Sequence, residues 1–425
     1  MSKLMGWLEK RFAPKMMKLN QNIWIMTLRD TMVQIFPFVL VGSIFCLLAV
    51  LQDYVSFPMD FWSLWDWSLG MVSIMVAFLI PFNYCEKKRL RKQRLVAGFT
   101  GLVVFLLSVT PEIIATSTVG FTSSAVGPGG MFCAIIMGIL TSLVFSLFAK
   151  FSFFKNSSAL PDFIKDWFDN TLPILICILG VFCIAIVANV NIYQAIVTLI
   201  SPLQYIINTW WGFTLFFIID VFIYSMGIST WVTTPISTPL KLAAVTGNLA
   251  LIAAGTATAA NMSLFTDTLI YGTYMWAGGL ACTLPLAWFL FFSKSKRLKA
   301  IGRASIVPSL LNINEPIVFG CIAWNPILMI PMWLQGLIIP LLTWFFCKVI
   351  KFAPIPQIQF DIWYCPYPIS TWISSQGSLR AILFFLISIA VSALIWYPFF
   401  KVYEKQQVTE ELAEATATSE KEATA

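Results

Sequence analysis

The stretch MFCAIIMGILTSLVFSLFA, residues 131–149, contains no charged side chain and no proline. As an α-helix rising 1.5 Å per residue it reaches about 28 Å, close to the thickness of a bilayer's hydrocarbon core. Comparable apolar runs recur along the chain. Backbone groups in lipid must bond internally, which leaves helices or closed barrels as the spanning structures. The strict apolar/polar alternation of a barrel strand is absent. The fold class that follows is an all-α polytopic membrane protein, with interfacial helices and re-entrant hairpins between its spans.

Composition agrees. Of 425 residues, 59% are hydrophobic and 11% charged, against roughly a quarter charged in soluble domains. The net charge of +7 comes from basic residues concentrated in short connections beside apolar runs, the positive-inside pattern of a membrane protein and not a nucleic-acid surface. Histidine is missing altogether, which removes the usual phosphoryl acceptor, proton shuttle and metal ligand. Any phosphoryl carrier must lie on another chain or use a different residue. Nine cysteines, from Cys46 to Cys365, show no metal-ligand or redox spacing and read as small packing residues. No metal and no cofactor is expected.

Outward from residues 131–149, the loop charges set a topology. The connection 86–94 carries Lys87, Lys88, Arg89, Arg91, Lys92 and Arg94 and belongs on the cytoplasmic side. The loop holding Asp53 and Asp60, and the connection 110–129, have no basic residue and belong outside. Spans are expected at about 31–51, on either side of 86–94, and at 131–149, 172–190, 211–228, 233–261, 269–292, 327–347 and 379–400. The total is ten, with both termini cytoplasmic. The segment 233–261 is rich in Thr, Ala, Gly and Pro and hydropathy alone does not decide whether it crosses, although the topology requires it. Residues 191–209, without charge, read as a helix along the membrane surface. Leu4, Trp7, Leu8 and Phe12 share a face before Pro14, the pattern of an interfacial amphipathic helix. The tail 406–425 is polar, lacks apolar periodicity and reads as disordered. The corresponding division is a scaffold and dimerisation part at 1–209, a substrate-transport part at 210–405, and the tail.

One segment does not fit a span. Pro308-Ser309-Leu310-Leu311-Asn312-Ile313-Asn314-Glu315-Pro316 is too short and too polar to cross, and its prolines argue for broken helix. Pro316 disfavours helical dihedrals at Glu315 and is expected to hold it extended, aimed out of a helix end. A carboxylate at membrane depth usually marks a substrate or ion path; the alternative is a headgroup-level loop with Glu315 solvated. Asp220, in the middle of the sixth span, is either a structural ion-pair partner or part of a proton path. The basic loop 87–94 is either a docking surface or a topology determinant.

The run Asn312-Ile313-Asn314-Glu315-Pro316-Ile317-Val318-Phe319-Gly320 resembles the signature of the sugar-translocating membrane (C) subunit of phosphotransferase systems, lactose/cellobiose/chitobiose type. Residues 16–51, with Asn22, Arg29, Pro37, Gly42 and Ser43, resemble that family's opening. Ser293-Lys294-Ser295-Lys296, Asn325-Pro326 and Tyr397-Pro398-Phe399-Phe400-Lys401 are similar to it as well, so the resemblance runs to about Lys405. It implies a phosphoenolpyruvate-dependent importer that presents a sugar's C6 hydroxyl to a separate cytoplasmic phosphocarrier B subunit. It also implies a homodimer in the bacterial cytoplasmic (inner) membrane. The expected cargo is a β-linked disaccharide such as cellobiose, chitobiose or lactose.

The resemblance assigns Glu315 the sugar hydroxyls and the catalytic position beside the C6 hydroxyl. A carboxylate can accept two hydroxyl hydrogen bonds and take a proton. Asn312 and Asn314 either bind sugar or tie down the hairpin's free backbone groups. Sugar recognition also uses flat apolar walls, which Trp supplies together with a donor. Trp363, in Trp363-Tyr364-Cys365-Pro366, stands where the family has a Trp-Thr-Thr-Pro turn. Trp276 precedes Gly278 and Gly279, in a segment similar to the family's Gly-Gly-Ser-Gly-Ala-Thr-Leu; these glycines serve sugar contact or tight helix packing. Where the family carries Gly-Ile-His-Gly this chain has Gly227-Ile228-Ser229-Thr230, so Ser229 replaces a sugar-holding histidine and the cargo is open to change. Two other readings fit the residues: a proton-coupled secondary sugar permease working through Asp220 or Glu315, and a sugar sensor without transport.

Overall fold

The computed structural model describes residues 18, 21–52, 59–115, 118–154, 161–228 and 230–423. The interfacial helix expected from Leu4 to Phe12, and Ser229, lie outside the described residues. Helices dominate, and the described strands are one antiparallel pair, β1 (Glu112–Ala115) with β2 (Thr118–Gly120).

The chain forms two compact units. The first comprises Lys18–Tyr205 and Trp231–Thr246. It holds α1 (Ile23–Leu51), α2 (Phe61–Ser68), α3 (Val72–Lys87), α4 (Arg94–Ser108), α5 (Met131–Phe148), α6 (Asp162–Phe182) and most of α7 (Ile192–Ile207). Met32, Ile35, Val76, Ile80, Phe105 and Met131 lie in its core. Small residues let these helices approach: a Cβ on Gly101 would lie 2.5 Å from the Ala77 carbonyl oxygen, and one on Gly138 2.9 Å from Ile80 Cβ. Asn83 donates to Thr31 Oγ1 and Gln34 Oε1, both at 3.0 Å. The basic loop is largely paired within this unit, Lys87 with Asp30, Arg91 and Arg94 with Glu86, and Lys92 with Asp166.

The second unit comprises Ile206–Thr230 and Gly247–Ala425. It contains α8 (Trp210–Ser225), the last part of α9 (Thr234–Ala253), α10 (Leu284–Phe291), α11 (Lys296–Leu310), α12 (Pro326–Trp344), α13 (Ile369–Ser374) and α14 (Leu379–Ala423). Helix α12 lies tight on α8, where a Cβ on Gly336 would meet Val221 Cγ2 at 2.3 Å. Gln335 Nε2 donates to the carbonyl oxygen and hydroxyl of Ser392 at 3.0 and 2.9 Å, and that hydroxyl donates to the Cys282 carbonyl at 2.8 Å.

Seven helices among the described residues are long and apolar enough to cross a membrane, or eight if the bent pair Ile192–Ile207 and Trp210–Ser225 is one span. Three of the expected ten differ: the span at 211–228 is the 16-residue helix Trp210–Ser225, which reaches span length only with its bent partner, and two others fall short. Arg94–Ser108 is helical for only 15 residues. Residues 269–292, read as one clear span, are interrupted: a π-helical turn, Thr268–Tyr274, leads into irregular chain before α10. The break is enforced by positive φ at Gly278, Gly279, Ala281 and Cys282, dihedrals no α-helix contains. Residues 234–253, left undecided, form one continuous helix. The tail also differs from expectation. Helix α14 continues to Ala423, and within it Glu411 and Glu414 meet donors at Ser295 and Arg297 that composition does not reveal.

Candidate functional site

The second unit gathers two non-helical segments and the end of α8 around the Asn312 hairpin. Helix α11 ends at Leu310, and Asn312 takes a left-handed φ of 63°. Asparagine tolerates that conformation better than most residues. The Ile313 N–H returns to the Pro308 carbonyl at 2.9 Å, which closes the turn. Glu315 then opens a single helical turn, Glu315–Ile317, with Pro316 near its start, where a missing N–H costs nothing. The extended conformation expected at Glu315 is therefore not adopted. The chain reverses at left-handed Asn312, and the Ile317 and Val318 N–H groups bond to the Asn314 carbonyl at 3.0 and 2.9 Å, drawing Glu315 into the turn.

Both asparagines are buried, at 4% and 3% exposure, and their amides hold backbone. Asn312 Nδ2 donates to the Trp363 carbonyl at 2.7 Å and the Cys365 carbonyl at 2.9 Å. Its Oδ1 accepts from the Gly278 N–H at 3.0 Å. Asn314 Nδ2 donates to the Leu280 carbonyl at 2.8 Å and Thr283 Oγ1 at 3.1 Å, while Tyr224 donates its hydroxyl to Oδ1 at 3.2 Å. A primary amide has two donor hydrogens, and in each asparagine both are engaged. Two side chains thus fasten the hairpin to the 277–283 break, the 363–365 turn and the end of α8.

The glycines are steric requirements of this arrangement. A Cβ on Gly278 would fall 2.3 Å from the Leu284 nitrogen, and one on Gly279 only 2.4 Å from Asn314 Cγ. Real side chains do not come so close. Gly278 also takes φ 80° and Gly279 φ 104°, open to glycine and strained for other residues.

Glu315, held at the edge of this knot, is exposed. Among the described residues its carboxylate has no hydrogen-bond or ion-pair partner. Trp363 and Trp276 are half-buried. Trp363 meets Tyr364 edge-on with ring centroids 5.7 Å apart, and Trp276 meets Tyr271 at 4.4 Å. Tyr367 donates to the Tyr271 carbonyl at 2.6 Å and stacks on Phe385 at 5.0 Å. Burial pushes the Cys365 thiol up, which keeps it protonated near neutrality.

The structure therefore brings Asn312, Asn314, Glu315, Gly278, Gly279 and the Trp363 backbone into one cluster, with Trp276 beside the glycines in sequence. Asp220 stands apart from these contacts, buried in α8 at 6% exposure. Sequence reasoning missed Tyr224 and Thr283, each of which bonds to Asn314. Tyr224 sits in an apolar span where nothing local distinguishes it. The Thr283 hydroxyl also donates to the Gly278 carbonyl at 2.6 Å; its place after the glycine pair was the available signal.

The family described as "Phosphotransferase system, EIIC" matches residues 29–336. The lactose-specific EIICB component of the phosphotransferase system from Staphylococcus epidermidis is 27% identical over 444 residues, covering 99% of this chain and 74% of that protein. The component of the same name from Staphylococcus haemolyticus is 27% identical, covering 97% and 72%. A solved structure of the transporter ChbC, the IIC component from the N,N′-diacetylchitobiose-specific phosphotransferase system, superposes with a TM-score of 0.84. It is 23% identical and covers 95% of this chain and 99% of that chain, a likeness of fold.

Proposed function

This chain belongs to the phosphotransferase system EIIC family, the multi-pass membrane components that carry sugar and act with a B subunit, and we propose that Glu315 is the residue at which its sugar is held and made reactive. The observation that carries the proposal is the contrast inside the hairpin. Asn312 and Asn314 are buried and fully engaged with protein donors and acceptors, whereas the Glu315 carboxylate is exposed. A carboxylate fixed at its backbone and free at its oxygens can accept bonds from two sugar hydroxyls. As one hydroxyl attacks phosphorus on the B subunit, the new O–P bond forms, the bond from phosphorus to the carrier breaks, and Glu315 takes the hydroxyl proton.

Asn312, Asn314, Gly278 and Gly279 enter this reading as the residues that place Glu315, and Trp363 and Trp276 as walls for the sugar rings. Ser229 contributes a hydroxyl. The relatives' lactose and chitobiose specificity supports a β-linked disaccharide as cargo. Residues 210–405 would carry the sugar while 1–209 form the scaffold and the homodimer contact. Loop charges support cytoplasmic termini in a bacterial cytoplasmic membrane.

The test is uptake in proteoliposomes with and without a phosphorylated B subunit. Accumulation of sugar 6-phosphate that requires the B subunit is the expected result. Proton-driven accumulation of unmodified sugar would overturn the reading in favour of a secondary permease, and binding without uptake would do so in favour of a sensor.

A further inference from the structure

Helix α11, which ends in the Asn312 hairpin, is held at its other end by the C-terminal helix. Ser295 caps it, accepting from the Leu298 N–H at 3.1 Å. Its remaining first-turn N–H groups have no partner within the helix, and Glu411 of α14 supplies one. Glu411 accepts from the Lys296 and Arg297 N–H groups at 2.9 and 2.8 Å and from the Ser295 hydroxyl at 2.7 Å. One step earlier, Glu404 accepts from the Lys294 N–H and the Ser293 hydroxyl, both at 2.8 Å. Glu404, Ser293 and Ser295 are exposed by only 5%, 1% and 0%. A carboxylate at a helix N-terminus is also favoured by the helix dipole.

The buried residues of α11 are Leu298, Gly302, Ser305 and Ser309, mostly small. A Cβ on Gly302 would lie 2.3 Å from the α10 backbone at Leu290 and Phe291, so the two helices approach backbone to backbone. Helical continuity from Lys296 to Leu310, followed by the Asn312 N–H bonding to the Ser309 carbonyl at 3.0 Å, connects the capped end to the hairpin.

We infer that Glu404 and Glu411 are positioning residues: together they clasp the start of α11 and so join Asn312 and Asn314 in fixing where the Asn312–Glu315 hairpin stands. The consequence for sugar rests on the proposed role of Glu315; the mechanical claim does not.

Hydrogen–deuterium exchange on the full chain in lipid nanodiscs tests both, alongside sugar affinity. Glu411→Gln is expected to speed exchange about tenfold, or about 1.4 kcal/mol, at residues 296–300 and again at 311–318, a magnitude typical of a lost cap. Sugar affinity should fall with it. Glu414→Gln, which loosens the exposed pair with Arg297 at 3.0 Å and leaves the Glu404 and Glu411 contacts in place, should alter neither, as exposed pairs contribute little. Faster exchange confined to 296–300, with hairpin protection and affinity unchanged, overturns the clasp. If Glu411→Gln does not reach the membrane, Glu411→Asp, with the same charge on a shorter arm, carries the same comparison. A wild-type chain that binds no sugar sinks the Glu315 reading, while the exchange data still decide the clasp.

Discussion

Replacing Gly279 by alanine adds one methyl group at the most crowded point of the site. Its Cβ would stand 2.4 Å from Asn314 Cγ and 2.7 Å from Oδ1, so Asn314 must move or the 277–283 segment must rebuild. The φ of 104° at Gly279 adds backbone strain of about 1–2 kcal/mol for a residue with a Cβ, and overpacking a closed interior adds about 1–3 kcal/mol. Together they weaken the hairpin's native placement by about 2–5 kcal/mol, which at 1.4 kcal/mol per decade is a factor of roughly thirty or more. The bonds from Asn314 to Leu280 and Thr283 are the ones displaced. Sugar affinity by titration calorimetry on the full-length protein should therefore fall at least about thirtyfold, with a lower melting temperature. Gly247→Ala is the control: the added Cβ meets nothing within 4 Å, and alanine in a helix is favoured over glycine by up to about 1 kcal/mol. If Gly279→Ala binds sugar and melts like the wild type, the argument that packing against Asn314 fixes the hairpin is refuted.

Glu315→Gln keeps the shape of the side chain and removes its charge and basicity; uptake should be abolished with membrane insertion intact, and wild-type uptake would remove Glu315 from the mechanism. Asn312→Ala strands the Trp363 and Cys365 carbonyls at about 1–3 kcal/mol for each buried group left unsatisfied. Limited proteolysis should then cut the 361–366 turn faster, and an unchanged digestion rate would count against that tether. Because burial raises the Cys365 thiol's pKa, its thiolate fraction at neutral pH lies below that of a free cysteine. Alkylation followed by mass spectrometry should be slower than for a free thiol at pH 7 and accelerate at more alkaline pH; free-thiol reactivity at pH 7 would show that the turn is open.

What was legible in the sequence depended on how local its cause is. Apolar length is local, so residues 131–149 and most other spans were readable. The interruption of 269–292 was not, because hydropathy averages over Gly278 to Cys282 while their positive φ values answer to Asn312 and Asn314, more than thirty residues away. The rule that a residue before proline prefers extended backbone failed at Glu315 because bonds to the Asn314 carbonyl outweigh a local preference of modest size. The tail misled for a related reason. Glu411 looks solvated by composition, yet its partners include N–H groups at the start of α11.

The same distinction explains why the motif contains both asparagines and a glutamate. Carboxamides combine donors with an acceptor, so one Asn312 can join the 363–365 carbonyls to the Gly278 N–H, which a carboxylate, accepting only, cannot do. A glutamate at 312 or 314 would face the Trp363 or Leu280 carbonyl, acceptor against acceptor, inside a buried site where unpaired charge is costly. An asparagine at 315, in turn, would hold sugar hydroxyls but could not serve as a base near neutrality. The motif therefore places amides where backbone must be joined and its single carboxylate where the described residues offer no partner. That ordering makes the charge at 315 separable from the architecture around it: Glu315→Gln should leave the hydrogen bonds of Asn312 and Asn314 in place, while Gly279→Ala should disturb them with the Glu315 carboxylate still present.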